Sequence, residues 1–409
     1  MKKIFGVLLL LILATSLFAA TDGGSYKNVV TVPFRPALYS DPGTLAYKMF
    51  SNPADLARNR FILQLPTVSV TMYNVAKTMS APSTAEAISK LTHRDFSKNN
   101  LVNLVTAMML NVGTGRNDVI TANSGLGMAI GKFGFSVDIG ADFKTKRYPD
   151  STEIQNLYNT ELVPLENESI SVAYGTRIYE RDSSFLDLGA SVHYAMKGYV
   201  VEVSAKQIAD YIENGTDINF KARGGYAFPF DVALTYGILD GALRFNLSAN
   251  NLNGYYHMKG YDISNLEDMA KIFTGGLTPV AGSDFILYTP WQLNAGLVWE
   301  PEVKVLNPVI TFNIEDINGY IKEDLKTDGG RKSLAELVTH LVARVDLRIV
   351  KIINLSVAFQ NGYPMLGAAV NLKGNTVEIS YSFHEAGDLY GAKPVDALTL
   401  RVKLGFDSN

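Results

Sequence analysis

The sequence predicts an all-β protein: a fourteen-stranded antiparallel transmembrane β-barrel with an N-terminal plug, or hatch, and helical extracellular loops. Three observations predict it. Apolar and polar residues alternate with period two along segment after segment, the connections between those segments alternate between long and short, and the chain opens with an export signal.

The export signal comes first along the chain. Lys2 and Lys3 precede an apolar run from Ile4 to Leu13, and "ATSLFAA" supplies small residues for cleavage around Ala19 or Ala20. This run is short of the roughly 20 apolar residues that a spanning helix needs. Residues 1–20 are therefore expected to be a signal peptide. Losing its two lysines moves the formal charge from -3 to about -5. With no basic block anywhere, nucleic acid is not an expected partner. The chain has 0 cysteines, so disulfides and thiolate metal sites are excluded. Although 47% of residues are apolar, no run of 18 stands outside the leader. What remains is a secreted soluble protein, or a barrel whose apolar residues are hidden by alternation.

The segment "FGFSVDIGADFK" shows the pattern. Phe135, Val137, Ile139, Ala141 and Phe143 fall on one face, and Ser136, Asp138, Gly140, Asp142 and Lys144 on the other. "LDLGASVHYAMK" repeats it, with Leu186 to Met196 set against Asp187 to Lys197. Strands are expected near 61–73, 119–130, 134–144, 168–179, 185–203, 216–237, 241–256, 285–300, 307–317, 339–350, 352–361, 364–373, 375–384 and 396–407. Connections after odd-numbered strands are long, except for "GYP" after the eleventh, and those after even-numbered strands are short. Long loops at one end and tight turns at the other mark an outer-membrane barrel. Residues 61–409 form this barrel, and placing the short turns in the periplasm leaves 21–60 as a periplasmic or lumenal segment. It ends in "FSNPADLARN", a turn set by Asn52-Pro53.

On the wall, Asp138, Asp142, Arg177, Asp187, His193, Lys197 and Arg244 are expected to face inward, because charge on the lipid face costs roughly 2–4 kcal/mol at mid-membrane. In the long loops, Leu101, Leu104, Val105, Met108 and Met109 recur at helical spacing. Leu266, Met269 and Phe273 form a second stripe after a Ser264/Glu267 capping box, and "SLAELVTHLV" repeats the logic with Ser333 and Glu336. Either these helices pack on one another to cap the barrel, or their flexible methionines line an apolar groove.

Catalytic chemistry is not legible. His93, His193, His257, His340 and His384 are scattered, and "HEAGD" lacks the second histidine of a zinc-protease motif. "GLGMAIGK" has the wrong spacing for a phosphate loop. There is no Gly-x-Ser-x-Gly elbow, and no convergent Ser/His/Asp cluster can be located. No metal, no cofactor and no enzymatic activity are expected.

Asn52, Pro53 and Ala54 stand just before the first strand, "FILQLPTVSVTMYN". "FPFDVALTYGILDGALRFNLSANNLNG" joins two strands by a tight turn and ends in Asn-Asn-Leu. The tail from "LSVAFQNGYPMLGAAVNL" to "LTLRVKLGF" carries the Asn361-Gly362-Tyr363 turn and a loop around Gly387 and Gly391. In these stretches the chain resembles the long-chain fatty acid transporter (FadL) family, including its PorV-type relatives. It departs from the pattern upstream of Asn52, in "RPALYSDPGTLAYKMF". The resemblance implies a hatch fixed by Asn52, Pro53 and Ala54. It also implies a greasy groove between the first and fourth outer loops, and passive uptake of hydrophobic small molecules such as long-chain fatty acids. Implied partners are outer-membrane lipid, an apolar ligand and, during insertion, the barrel-assembly machinery; a monomer is expected. The competing class is a surface adhesin or a secretion-system partner barrel without transport activity.

Overall fold

Fourteen strands close one antiparallel wall. The computed structural model describes residues 29–31, 49, 51–80, 115–147, 160–201, 203–204, 220–264, 268–303, 305–321, 336–349, 352–372, 375–385, 391 and 393–407. The wall strands are β1 (Phe61–Tyr73), β2 (Gly115–Ile130), β3 (Phe133–Arg147), β4 (Thr160–Arg181) and β5 (Ser184–Val201). Three strands are each built from two halves: β6 (Phe220–Ala227 and Phe230–Ile238), β7 (Leu243–Leu252 and Tyr255–Ile263) and β8 (Phe285–Tyr288 and Gln292–Trp299). There follow β9 (Pro308–Ile314), β10 (Leu341–Ile349), β11 (Ile353–Gln360), β12 (Tyr363–Leu372), β13 (Asn375–Glu385) and β14 (Pro394–Lys403), which Gly405–Asp407 continues. Each pairs with the next, and β14 returns to β1 from Ala397↔Tyr73 to Val402↔Val68, so the wall has no free seam there.

All fourteen expected strands are present, with altered ends. The fourth starts at Thr160 rather than 168, and the seventh runs on to Ile263 rather than ending at 256. The physical reason for the second difference is a break at Asn251–Gly254. Asn251 and Asn253 take φ of 59° and 65°, the register shifts between Ala249 and Leu252, and the ladder then resumes at Tyr255. Such a break looks like a terminus when read as alternation, yet in space it is a bulge. The "NG" at 361–362 does what its sequence predicts: φ of 51° and 85° form a tight hairpin between β11 and β12.

Polarity is inverted relative to a water-soluble domain. Ser171, Asp187 and Thr235 are 0% exposed, while Phe133 and Phe406 are 63% exposed. In a membrane the outward apolar side chains meet lipid, and wall closure satisfies the backbone that lipid cannot. Among the described residues no helix is long and apolar enough to cross a membrane; strands do the crossing. The chain is an outer-membrane β-barrel.

Two segments complete the architecture. The two-turn 3-10 helix Pro53–Arg58 lies inside the barrel at its short-turn end, with Pro53 in its first turn, where a missing N–H costs nothing. Val29–Thr31 adds a short strand to β8 in parallel, Val29↔Ile286 to Thr31↔Tyr288.

Candidate functional site

The inner face of β5 runs through the lumen from bottom to top: Phe185, Asp187, Gly189, Ser191, His193, Ala195, Lys197, Tyr199. The first three belong to the lowest layer, the next two to the middle and the last three to the upper, so one alternating strand orders the whole interior.

The lowest layer seats the Asn52–Arg58 segment. Gly175 on β4 stands directly opposite Gly189 on β5. A Cβ on Gly189 would lie 2.1 Å from the Ala54 nitrogen, and one on Gly175 would lie 2.7 Å from the Pro53 oxygen. A Cβ on Gly134, on β3, would come within 3.2 Å of both Leu56 and Met49. These three glycines form a saddle into which the turn's backbone is pressed. Met49 and Leu56 are fully buried with Ile62, Ala129 and Ala173. Asn52 Nδ2 donates to Thr235 Oγ1 at 2.8 Å and to Asn246 Oδ1 at 3.3 Å, tying the turn to β6 and β7. Arg58 pairs with Asp55 and lies 3.3 Å from Asp187, which also accepts from Arg177 Nε at 2.9 Å. Both guanidiniums stack on Phe185, Arg177 at 4.1 Å and Arg58 at 5.4 Å from the ring centre. Below them a cavity of about 270 Å³, lined in part by Arg58, Arg177, Phe185, Asp240 and Arg244, opens at the turn end.

The middle layer is a closed polar network. His193 Nε2 lies at hydrogen-bond distance from Asp231 Oδ2, 2.8 Å, and His193 Nδ1 from Ser171 Oγ, 2.9 Å. Ser191 Oγ donates to Asp231 Oδ2 at 3.1 Å, and Asp231 Oδ1 accepts from the Asn251 backbone at 2.6 Å. Asn251 Nδ2 then donates to the Thr289 oxygen at 2.8 Å. The network therefore stitches β4 through β8 across the bulge, which supplies what the broken ladder lacks. It also corrects the sequence reading: Ser171, His193 and Asp231 do converge, in the order of a hydrolase relay. Three neighbouring strands bring them together, so no linear motif announces them. Ser171 is 0% and His193 1% exposed, so a substrate cannot reach the hydroxyl, and the buried polar groups serve one another.

The upper layer is apolar where alternation calls for polar residues. Ala195, Ala227, Tyr256, Met258 and Leu287 form a lumenal cluster, flanked by Tyr199 and Phe285. Lys197 Nζ sits 4.9 Å over the Tyr256 ring and the Arg223 guanidinium 4.8 Å over Phe285. Among the described residues neither cation has a carboxylate within 4 Å. Across the barrel, by contrast, Arg344 is paired with Asp346 at 2.8 Å and Arg401 with Glu378 at 2.6 Å. One signal for this cluster stands in the sequence: "FILY", 285–288, is apolar on both faces.

Of the residues singled out by sequence, Asn52, Pro53 and Ala54 meet in the lowest layer. Met269 and Phe273 lie on the short helix Met269–Thr274, which rests on the outer face of the wall with Val200, Ala222, Ile263 and Ile272. Gly198 and Gly224 make room for it: a Cβ there would lie 2.6 Å from Phe273 and 2.4 Å from Ile272. Leu266 and the stripe Leu101, Leu104, Val105, Met108 and Met109 lie outside the described residues. Among the described residues no three His, Asp or Glu side chains gather to hold a metal ion.

No protein-family model matches the chain, and no curated protein does. Solved structures resemble it. The Ralstonia pickettii toluene transporter TbuX shares 12% identity over 92% of this chain and 98% of its own, with a TM-score of 0.46. The Pseudomonas putida toluene transporter TodX shares 11% over 93% and 99%, with a TM-score of 0.42. A Pseudomonas aeruginosa FadL homologue shares 11% over 91% and 96%, with a TM-score of 0.42.

Proposed function

We propose that this barrel is a passive channel for hydrophobic small molecules, long-chain fatty acids among them. In this reading the Asn52–Arg58 segment is its hatch. The observation that carries the reading is the apolar cluster on the lumenal face: Tyr256, Met258 and Leu287, with the half-buried Tyr199 and Phe285 packed against them. Apolar side chains have no reason to line a water-filled pore, and binding sites are concave, mostly apolar and marked by a few placed polar groups. Lys197 and Arg223, stacked on rings and with no carboxylate within 4 Å among the described residues, suit a carboxylate head whose tail lies on the aromatic surface. The glycine saddle holds the hatch below, so a loaded molecule does not fall through. The outer-loop stripe from Leu101 to Met109 and Leu266 belongs to the same proposal, as the surface that gathers ligand first.

The test is native mass spectrometry with lipid extraction of the detergent-purified protein. Co-purified fatty acids or other apolar molecules, lost in Met258→Asp and Leu287→Asp, are the expected result. A ligand-free barrel, or a bound partner protein, favours the adhesin or secretion-partner reading.

A further inference from the structure

The cavity of about 270 Å³ at the turn end is separate from the apolar cluster above, and its lining is sorted by charge and depth. Arg58, Arg177 and Arg244 converge on it from the seated segment, β4 and β7. The carboxylates that pair with them most closely from within, Asp55, Asp187 and Glu300, do not line it. The acids that do line it, Glu180, Asp182 and Asp240, are exposed at its rim. The inner surface is therefore guanidinium gathered around the Phe185 ring.

Packing holds these cations in place. The ring on which Arg177 and Arg58 stack has room only because two glycines face it: a Cβ on Gly237 would lie 2.2 Å from the ring and one on Gly241 3.1 Å. Arg244 Nη1 donates to the Gly241 oxygen at 2.9 Å, so the same turn fixes the third guanidinium. Each of the two stacked arginines keeps donors in reserve. Arg177 gives Nε to Asp187 and Nη1 to Glu180, both at 2.9 Å, and Arg58 gives Nη2 to Asp55 and turns Nε toward Asp187. Among the described residues Arg177 Nη2 and Arg58 Nη1 have no partner. A guanidinium oriented by carboxylates on one edge, with N–H groups left over on another, recognises an oxyanion with little left to reorganise.

From this geometry we infer that the cavity is a second binding site, for the carboxylate head of an apolar monocarboxylic acid, with Arg58 Nη1 and Arg177 Nη2 as its donors and Arg244 beside them. A single negative charge fits better than a double one. Each arginine is already opposed by a carboxylate and the rim adds Asp182 and Asp240, so a phosphate dianion meets more repulsion than a carboxylate does. The apolar part of the ligand has a place too: Phe185 lines the cavity, and Leu239, next to the lining residue Asp240, is 59% exposed at its mouth. As a station for acids leaving at the turn end, the site rests on the proposed passage of such molecules; as a binding site it does not.

The chain has 0 cysteines, which makes a direct test available. Ser183→Cys, on the exposed rim, carries a trifluoromethyl tag, and the full-length protein in non-ionic detergent is titrated with hexanoate and followed by fluorine NMR. A saturable shift is expected, with affinity lowered about tenfold in Arg177→Lys and in Arg244→Lys, which keep the charge but lose the planar fork. No shift, or unchanged affinity in both lysine variants, overturns the inference. So does inorganic phosphate that binds as tightly as hexanoate, and so does a shift that vanishes in Met258→Asp/Leu287→Asp, which would place the ligand at the lumenal cluster. Should the lysine variants not fold, titration of the tagged parent with 1-hexanol decides. Binding about tenfold weaker than that of hexanoate supports recognition of the head group, and equal binding overturns it. Co-purified fatty acids without a hexanoate shift sink this site alone, whereas a hexanoate shift in a barrel that yields no apolar ligand sinks the transport reading alone.

Discussion

Gly189→Ala tests the saddle most directly. The added Cβ would lie 2.1 Å from the Ala54 nitrogen and 2.2 Å from the Pro53 carbonyl carbon, and restoring ordinary contact at 3.4 Å needs a shift of about 1.3 Å. These are backbone atoms of a turn pinned on its other side by Thr235, so rotamer changes give no relief. Overpacking of this kind costs about 1–3 kcal/mol. Against it stands the seating of the segment. Full burial of Met49 and Leu56 contributes about 1.5–3 kcal/mol each, and the two hydrogens of Asn52 Nδ2 add about 1 kcal/mol each. Seating of about 5–8 kcal/mol survives one such clash but is weakened by it. The population with the segment unseated should rise about 10- to 100-fold, since 1.4 kcal/mol is a factor of ten. Brief high-conductance openings in planar bilayers should become more frequent by that factor, and Gly189→Val, with two further methyl groups, should raise the frequency again. The control is Gly367→Ala, whose Cβ would meet nothing closer than 3.4 Å. Wild-type opening statistics for Gly189→Val in a barrel that keeps its heat-modifiable gel mobility would refute the claim that this turn occludes the lumen.

Four further outcomes are expected. Asn52→Ala removes the turn's hydrogen bonds to Thr235 and Asn246, which remain bonded to each other, and should raise opening frequency through a loss of about 1–3 kcal/mol; combining it with Pro53→Ala should add to the leak. Asp231→Ala leaves His193 and the Asn251 backbone without their shared acceptor, and urea denaturation in detergent should show a loss of about 3–5 kcal/mol; a shift within error would mean that the middle layer does not brace the wall. A fluorophosphonate probe for activated serines should leave the protein unlabelled, because Ser171 is 0% exposed; adduct formation at Ser171 on peptide mapping would reopen the enzyme reading. Finally, burial pushes the Glu300 carboxyl up, but its hydrogen bond and charge interaction with Arg244 outweigh that and hold it below the ordinary glutamate range. Its stabilising contribution is thus present above the unfolded glutamate pKa of about 4.3 and lost as pH falls through the lower folded value. Arg244→Met should flatten that part of the acid-stability profile, and a profile parallel to wild type would count against the pair.

The alternation at 133–147 and 184–201, together with loop parity, determined the barrel, its strand count and which faces meet lipid, because a strand's two faces are written at period two and each face has one solvent. The Asn52-Pro53-Ala54 turn was legible for a similar local reason: proline fixes its own backbone. What sits beside that turn was not, since Gly134, Gly175 and Gly189 are unremarkable wall glycines until three strands align them. Likewise Ser171, His193 and Asp231 are far apart in sequence, and neighbouring strands alone decide that they touch. The apolar lumenal cluster hid behind a rule that usually holds, polar side chains inward, which the stretch at 285–288 breaks. Only the tertiary structure placed Val29–Thr31 against β8, because that pairing depends on where β9 leaves the wall at Asp316, and no local pattern in residues 29–31 records which edge elsewhere in the barrel is left open.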